Sequence, residues 1–188
     1  MQSHTLRWIA LTSAFVLLLF HTRADDALLT DEALCSEWFG AAVHEHPLTL
    51  TTTNTAINEV TSEGKTVGWV FRTDQVPPVC KGKRGEIAVL VALGVDGRIK
   101  GLHVQSYKED KKYFARLTSS FFQQFQNRRA DGDTSGIDAV TRATYSSRAI
   151  IRDVMEGAKH IVSLPEVAAK IKQNEDCSLT KTAAMFHN

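Results

Sequence analysis

The chain is poor in cysteine and net charge, and each shortage excludes something. Its three cysteines (Cys35, Cys80, Cys177) form no CxxC, CxxCH or zinc-type spacing, so cysteine-held haem, zinc and iron–sulfur centres are unsupported. In an exported chain three thiols permit one disulfide and one leftover. A net charge of +1 provides no global field for nucleic acid or an anionic membrane. Two local basic clusters, Lys81, Lys83 and Arg84 in "CKGKRG" and Lys108, Lys111 and Lys112 in "YKEDKKY", read as solvated surface. The longest N-terminal apolar run, Trp8 to Phe20, is short of the ~20 residues a membrane span needs. Preceded by Arg7 and followed by Thr22 and Ala24 at cleavage-site spacing, it reads as a signal peptide, or else an uncleaved anchor, over residues 1–24. Removing Arg7 and Arg23 from 22 basic residues leaves 20 against 21 acidic ones, a balance of −1. Either reading of this segment places the rest of the chain outside the cytoplasm, in the periplasm or on the outer face of the cytoplasmic membrane.

What is present is globular: 43% hydrophobic and 23% charged over 188 residues, enough for one domain with a real core. "TDEALCSEWFGAA" predicts a short helix capped by Thr30 or Asp31, with Leu34, Trp38 and Phe39 on its apolar side. His44 and His46 can place two imidazoles on one side of a strand, although Pro47 suggests a loop, and two ligands make a weak metal site. No metal is expected. "AINEVTSEGKTVGWVFRT" predicts a hairpin turning at Glu63-Gly64, and "EIAVLVALGVDGRIKGLHVQSYKE" a second one at Asp96-Gly97. The unbroken apolar run Ile87 to Leu93 marks a central strand covered on both faces.

Phe114, Leu117, Phe121, Phe122 and Phe125 recur at helical spacing, predicting one helix from Tyr113 to Asn127 with an aromatic stripe packed on the sheet. Ile150, Ile151, Val154, Ala158, Ile161 and Val162 predict a helix beginning near Ser146. "LPEVAAKIK" predicts a short last helix, and "QNEDCSLTKTAAMFHN" a polar, loose tail. Strands followed by helices indicate a single α+β domain with a twisted, mostly antiparallel sheet packed by helices. Its organisation is expected as an N-terminal helix and first strand (25–65), a core (66–162), and a C-terminal helix with tail (163–188).

Between these elements lies "SGIDAVTRATYSSRAIIRDV", residues 135–154, with Thr141, Thr144, Ser146 and Ser147 crowded ahead of a helix. One hydroxyl is enough to cap a helix. The surplus is either a polar loop or an anion site, since unpaired N–H groups and the helix dipole favour phosphate at such a start.

The run "DAVTRATYSS" resembles the flavinylation motif of the FMN-binding domains of sodium-pumping quinone reductase and Rnf-type electron-transport subunits, with related domains in exported regulators of nitrous oxide reduction. That motif reads Asp, two variable residues, Ser or Thr, usually Gly, Ala, then Thr or Ser, often followed by a hydroxyl pair. Asp138, Thr141, Ala143 and Thr144 match, and Ser146 and Ser147 follow. The resemblance runs over roughly residues 66–162. It implies FMN joined by a phosphoester to Thr144, installed from FAD by a flavin transferase. It also implies hydroxyl or nearby amide donors to phosphate from Thr141, Ser146 and Ser147, and a role for Asp138 in recognition by the transferase, although a turn cap is an equally good reading of that residue.

Two departures stand out. Arg142 replaces the usual glycine, and either tightens the loop or pairs with phosphate. Glu109 in "YKEDKKY" matches a family acid, but the glycines around that acid are missing. Tyr107, Tyr113 or Tyr145 would supply a wall for the flavin ring. No acid–base pair or nucleophile triad is visible. The resemblance therefore implies an exported electron-transfer flavoprotein serving a membrane redox complex or another electron carrier. The alternative is a flavin-free binding or sensory module of the same fold.

Overall fold

A computed structural model describes residues 33–40, 43–48 and 57–185. The expected signal or anchor segment, and the capping residues Thr30 and Asp31, lie outside them. Five strands form one antiparallel meander in the order β1 (His44–Pro47), β2 (Ile57–Ser62), β3 (Lys65–Arg72), β4 (Ile87–Gly94) and β5 (Ile99–Tyr107). Each neighbour in this order is also a neighbour in sequence, so short connections suffice. The Glu63-Gly64 turn joins β2 to β3, with positive φ at both residues (51° and 72°). The Asp96-Gly97 turn joins β4 to β5, closed by Gly97 N–H donating to the Gly94 carbonyl at 2.9 Å. Both expected hairpins are present, and the α+β architecture is the one the sequence implied. The histidine pair sits on β1, an edge strand, where Pro47 loses no ladder partner. Among the described residues no group of His, Cys, Asp or Glu is arranged to hold a metal.

Strand β4 is buried along its whole length because both faces are covered. On one face α1 (residues 33–39) brings Cys35 against Val60, Val70, Leu90 and Ala92, with Trp38 and Phe39 alongside. Side chains at Gly68 and Gly101 would occupy the space of the Phe39 and Trp38 rings respectively, so glycine is what lets this helix lie down on the sheet. The opposite face holds the main core, where Trp69, Phe71, Val89, Val91 and Leu93 meet the helices that follow.

The first of these helices departs from expectation. Instead of one helix from Tyr113 to Asn127 there are two short ones, α2 (Lys111–Phe114) and α3 (Ser119–Gln123). Thr118 is extended (φ −83°, ψ 174°), and its hydroxyl lies 2.8 Å from that of Ser120, a local bond that competes with helix continuation. The break lets the chain bend while Phe114, Leu117, Phe121 and Phe125 all stay buried.

Helix α4 (Thr144–Ser163) buries Ile150, Val154, Ala158 and Ile161, spaced three and four apart, against the sheet. Helix α5 (Pro165–Met185) corrects the expected loose tail: the helix runs through "QNEDCSLTKTAAM" because no glycine or proline interrupts it. Its first turns are the packed ones, through buried Val167 and a Lys170–Glu59 ion pair to β2. Residues 172–179 are exposed, and it was this polarity that resembled a tail. All three cysteines are free thiols, Cys35 buried, Cys80 partly buried and Cys177 exposed. Among the described residues no helix is long and apolar enough to cross a membrane.

Candidate functional site

Three pieces of chain meet at the start of α4: the turn 82–85, the segment Glu109–Tyr113 after β5, and the loop leading into α4. Between them lies a cavity of about 300 Å³ lined by Lys83, Arg84, Glu109, Tyr113, Arg142 and Thr144, among others. The turn is closed by Gly82 N–H donating to the Gly85 carbonyl at 2.8 Å. A Cβ on Gly82 would lie 2.6 Å from the Glu109 carboxylate, so this glycine admits the close approach of that side chain.

Glu109 fastens the site together. One of its oxygens accepts the backbone N–H of Arg84 at 2.7 Å, and the other accepts the hydroxyl of Ser146 at 2.7 Å. Burial pushes the Glu109 carboxyl up, but the Ser146 hydroxyl and the backbone amides of Arg84, Lys83 and Gly85 outweigh it, and the group sits below its ordinary range. Its neighbour Asp110 caps α2 by accepting the Lys112 N–H at 3.0 Å, and lies 3.6 Å from the Arg84 guanidinium.

The loop into α4 is held from below. The Gln124 side chain, just after α3, accepts the Asp138 N–H at 2.8 Å and donates to the Asp138 carbonyl at 3.4 Å. The buried Ser147 hydroxyl donates to the Ala143 carbonyl at 3.0 Å and accepts the Val140 N–H at 3.0 Å, which folds the loop back onto the helix. Arg142 has φ +65°, the left-handed conformation that glycine adopts without strain. Arginine here keeps the backbone shape a glycine would give and adds a cation at the cavity wall.

Helix α4 then opens at Thr144 after Ala143, which has no side chain able to cap it, and no side-chain hydrogen bond does so. The amides of the first turn are therefore not met by the usual side-chain oxygen. The Thr144 hydroxyl makes one bond, to the Val140 carbonyl at 3.4 Å, the long limit for such a contact.

Of the expected site residues, the structure brings Arg142, Ala143, Thr144, Ser146 and Glu109 together around the cavity. Ser147 faces the loop's own backbone, while Thr141 and Asp138 are exposed and outside the lining. Of the three tyrosines, Tyr113 and Tyr145 line the cavity, 48% and 71% exposed, while Tyr107 stacks on Phe114 with centroids 3.7 Å apart. Lys83, Arg84 and Asp110 line the cavity without having been read from sequence as part of it. The two basic residues are exposed, as surface residues should be, and their signal was the glycine pair flanking them in "GKRG".

The model of the FMN-binding domain family matches residues 82–159, which include the turn, Glu109 and the whole "DAVTRATYSS" run. Over that stretch the chain is similar to an FMN-binding domain. It is also 30% identical, over 53% of its length, to one of the subunits of the proton-translocating ferredoxin:NAD(+) oxidoreductase complex of Clostridium ljungdahlii, 56% of which is covered. The chain thus spans about half the length of that relative. FMN is the group the family implies, and the residues present fit its phosphate end: an uncapped helix start, the cations Lys83, Arg84 and Arg142, and the hydroxyl of Thr144. A volume of about 300 Å³ is at the small end for ligand pockets, and Tyr113 and Tyr145 are the exposed aromatic residues among its lining.

Proposed function

We propose that this chain is an electron-transfer flavoprotein carrying FMN covalently on Thr144, exported from the cytoplasm and serving a membrane redox complex or another electron carrier. The observation that carries this reading is Thr144 opening α4 with no side-chain cap, beside three cations. Its oxygen is held by one long bond, so attack on phosphorus breaks little.

In the attachment step a flavin transferase brings FAD to this residue. The Thr144 oxygen forms a bond to the phosphorus nearest the riboflavin, the pyrophosphate P–O bond breaks, AMP leaves, and the hydroxyl proton is given up to base or solvent. Helix-start amides and Arg142 stabilise the negative charge on the attached phosphate. Once bound, the flavin supplies the redox chemistry, and the protein sets its position and potential. The relative's membership of a ferredoxin:NAD(+) oxidoreductase complex supports a redox-complex partner.

The test is to co-produce the chain with a flavin transferase and read covalent flavin fluorescence after denaturing electrophoresis. Wild type and Thr144→Ser should be labelled and Thr144→Ala should not, with peptide mass placing FMN on residue 144. Label retained by Thr144→Ala would overturn the acceptor assignment. An unlabelled wild type would favour a flavin-free module instead. Fusing residues 1–30 to a reporter active only outside the cytoplasm checks export, and a silent, well-expressed fusion would refute it.

A further inference from the structure

We propose that the rim of the Thr144 cavity is a docking face for an acidic protein surface, that of the electron carrier exchanging electrons with the flavin. The inference rests on the flavoprotein reading above and goes further by naming the partner's surface chemistry. Lys83, Arg84 and Arg142 line the opening and are exposed. Lys108 lies against Gly85 in the turn that forms one wall, and Lys111 and Lys112 form the first turn of α2, whose Asp110 and Tyr113 are also lining residues. Arg148 stands one helical turn after Thr144 on the same side of α4.

The carboxylates nearby are already engaged. Glu109 is taken by Ser146 and the Arg84 amide, Asp110 by Lys112 N–H and Arg84, and Glu86 by Lys81 at 3.6 Å. Among the described residues Lys83, Lys108, Lys111, Lys112, Arg142 and Arg148 form no ion pair. The whole chain carries only +1, so this is charge gathered at one opening rather than general basicity.

Such a rim steers an anionic partner toward the opening and raises its association rate. Tyr113 and Tyr145, exposed at the same rim, are of the residue type enriched at protein interfaces. The opening is concave, so a convex protein surface can enter where a flat bilayer touches only the rim. The exposed large side chains at the rim are tyrosines, with no leucine, isoleucine or phenylalanine to insert into lipid.

The experiment compares wild type with a Lys108→Glu, Lys111→Glu, Lys112→Glu variant, none of these residues holding the flavin. Flavin-loaded, dithionite-reduced protein is mixed in stopped flow with anionic hexacyanoferrate(III) or cationic hexaammineruthenium(III). For wild type, raising salt from about 20 mM to about 0.5 M should slow the anionic oxidant roughly tenfold and speed the cationic one, and the variant should lose or reverse that pattern. Equal salt responses to the two oxidants would overturn the proposal. In parallel, labelled poly-L-glutamate and phosphatidylglycerol–phosphatidylcholine vesicles are titrated with flavin-free Thr144→Ala chain. Binding of poly-L-glutamate that the three reversals weaken at least tenfold supports an acidic protein partner. Tighter binding to vesicles than to poly-L-glutamate, lost in the reversals, would overturn it in favour of a lipid surface. Because this arm needs no flavin, a chain that takes up none would refute the function proposed above while the docking face is still decided by binding.

Discussion

Glu109 joins the two halves of the site, and the substitution Glu109→Gln measures what that join is worth. The carboxylate accepts two side-by-side bonds at 2.7 Å, from the Arg84 amide and from the hydroxyl of Ser146, a residue only 3% exposed. Bonds to a charged acceptor contribute about 1.5–3 kcal/mol each, and neutral ones about 0.5–1.5. Glutamine keeps the shape and loses the charge assistance, so the loss should be about 1–2 kcal/mol, toward the low end because Glu109 is partly exposed. Glu109→Ala strands the buried Ser146 hydroxyl and should cost more, about 2–3 kcal/mol. The pH dependence gives a sharper reading. The folded pKa of Glu109 lies below its ordinary 4.5, so the unfolded chain takes up a proton first as pH falls. The stability that Glu109 contributes is therefore complete above that value and disappears as pH drops through the folded pKa. Urea unfolding of wild type and Glu109→Gln should show a gap that is constant from pH 6 to 8 and closes in acid, below about pH 4. Other titrating groups cancel in the difference. A gap that stays the same down to pH 3, or is missing at pH 7, would refute the role given to this carboxylate.

Asp153 predicts the opposite slope: this α4 residue, 2% exposed, accepts the Cys80 N–H at 2.6 Å, and burial raises its pKa to about 6. Its folded pKa lies above the unfolded 3.8, so stability falls as pH rises from 3.8 through about 6; Asp153→Asn should flatten that window in thermal melts and be more stable at pH 7 by on the order of 2 kcal/mol, and an unchanged slope would count against it. Arg142→Gly should keep the loop's shape, because Arg142 already has φ +65°, and should raise stability by up to about 1 kcal/mol while slowing flavin attachment by losing a cation. Faster labelling in that variant would mean that the side chain obstructs the loop instead.

Local signals carried most of the fold, and through-space pairings carried most of the site. The sheet was legible because Ile87–Leu93 is apolar throughout and two glycine turns fix the neighbours, which leaves a meander little alternative. Where the reading failed, the deciding interaction was weak or distant. The aromatic stripe had the right buried residues, but α2 ends at Phe114 and Thr118 turns extended, its hydroxyl on that of Ser120, where periodicity alone continues one helix. Polarity made residues 173–185 look like a tail, but with no glycine or proline among them α5 continues, residues 172–179 exposed along it. Thr144, Arg142 and Ser146 were found because they are contiguous with a motif. Glu109 was recognised as a match in type, yet its partner Ser146 lies 37 residues away, a pairing no spacing rule reveals. The missing glycines around Glu109 also have a physical counterpart. Gly82, on a different strand connection, supplies the space that lets Glu109 reach the turn. Arg142 shows the same logic in reverse: the left-handed backbone is retained, and a side chain that could have been absent adds charge beside Thr144. A family pattern read residue by residue registers both as departures, whereas in three dimensions Arg142 keeps the left-handed backbone and Gly82 leaves room for Glu109.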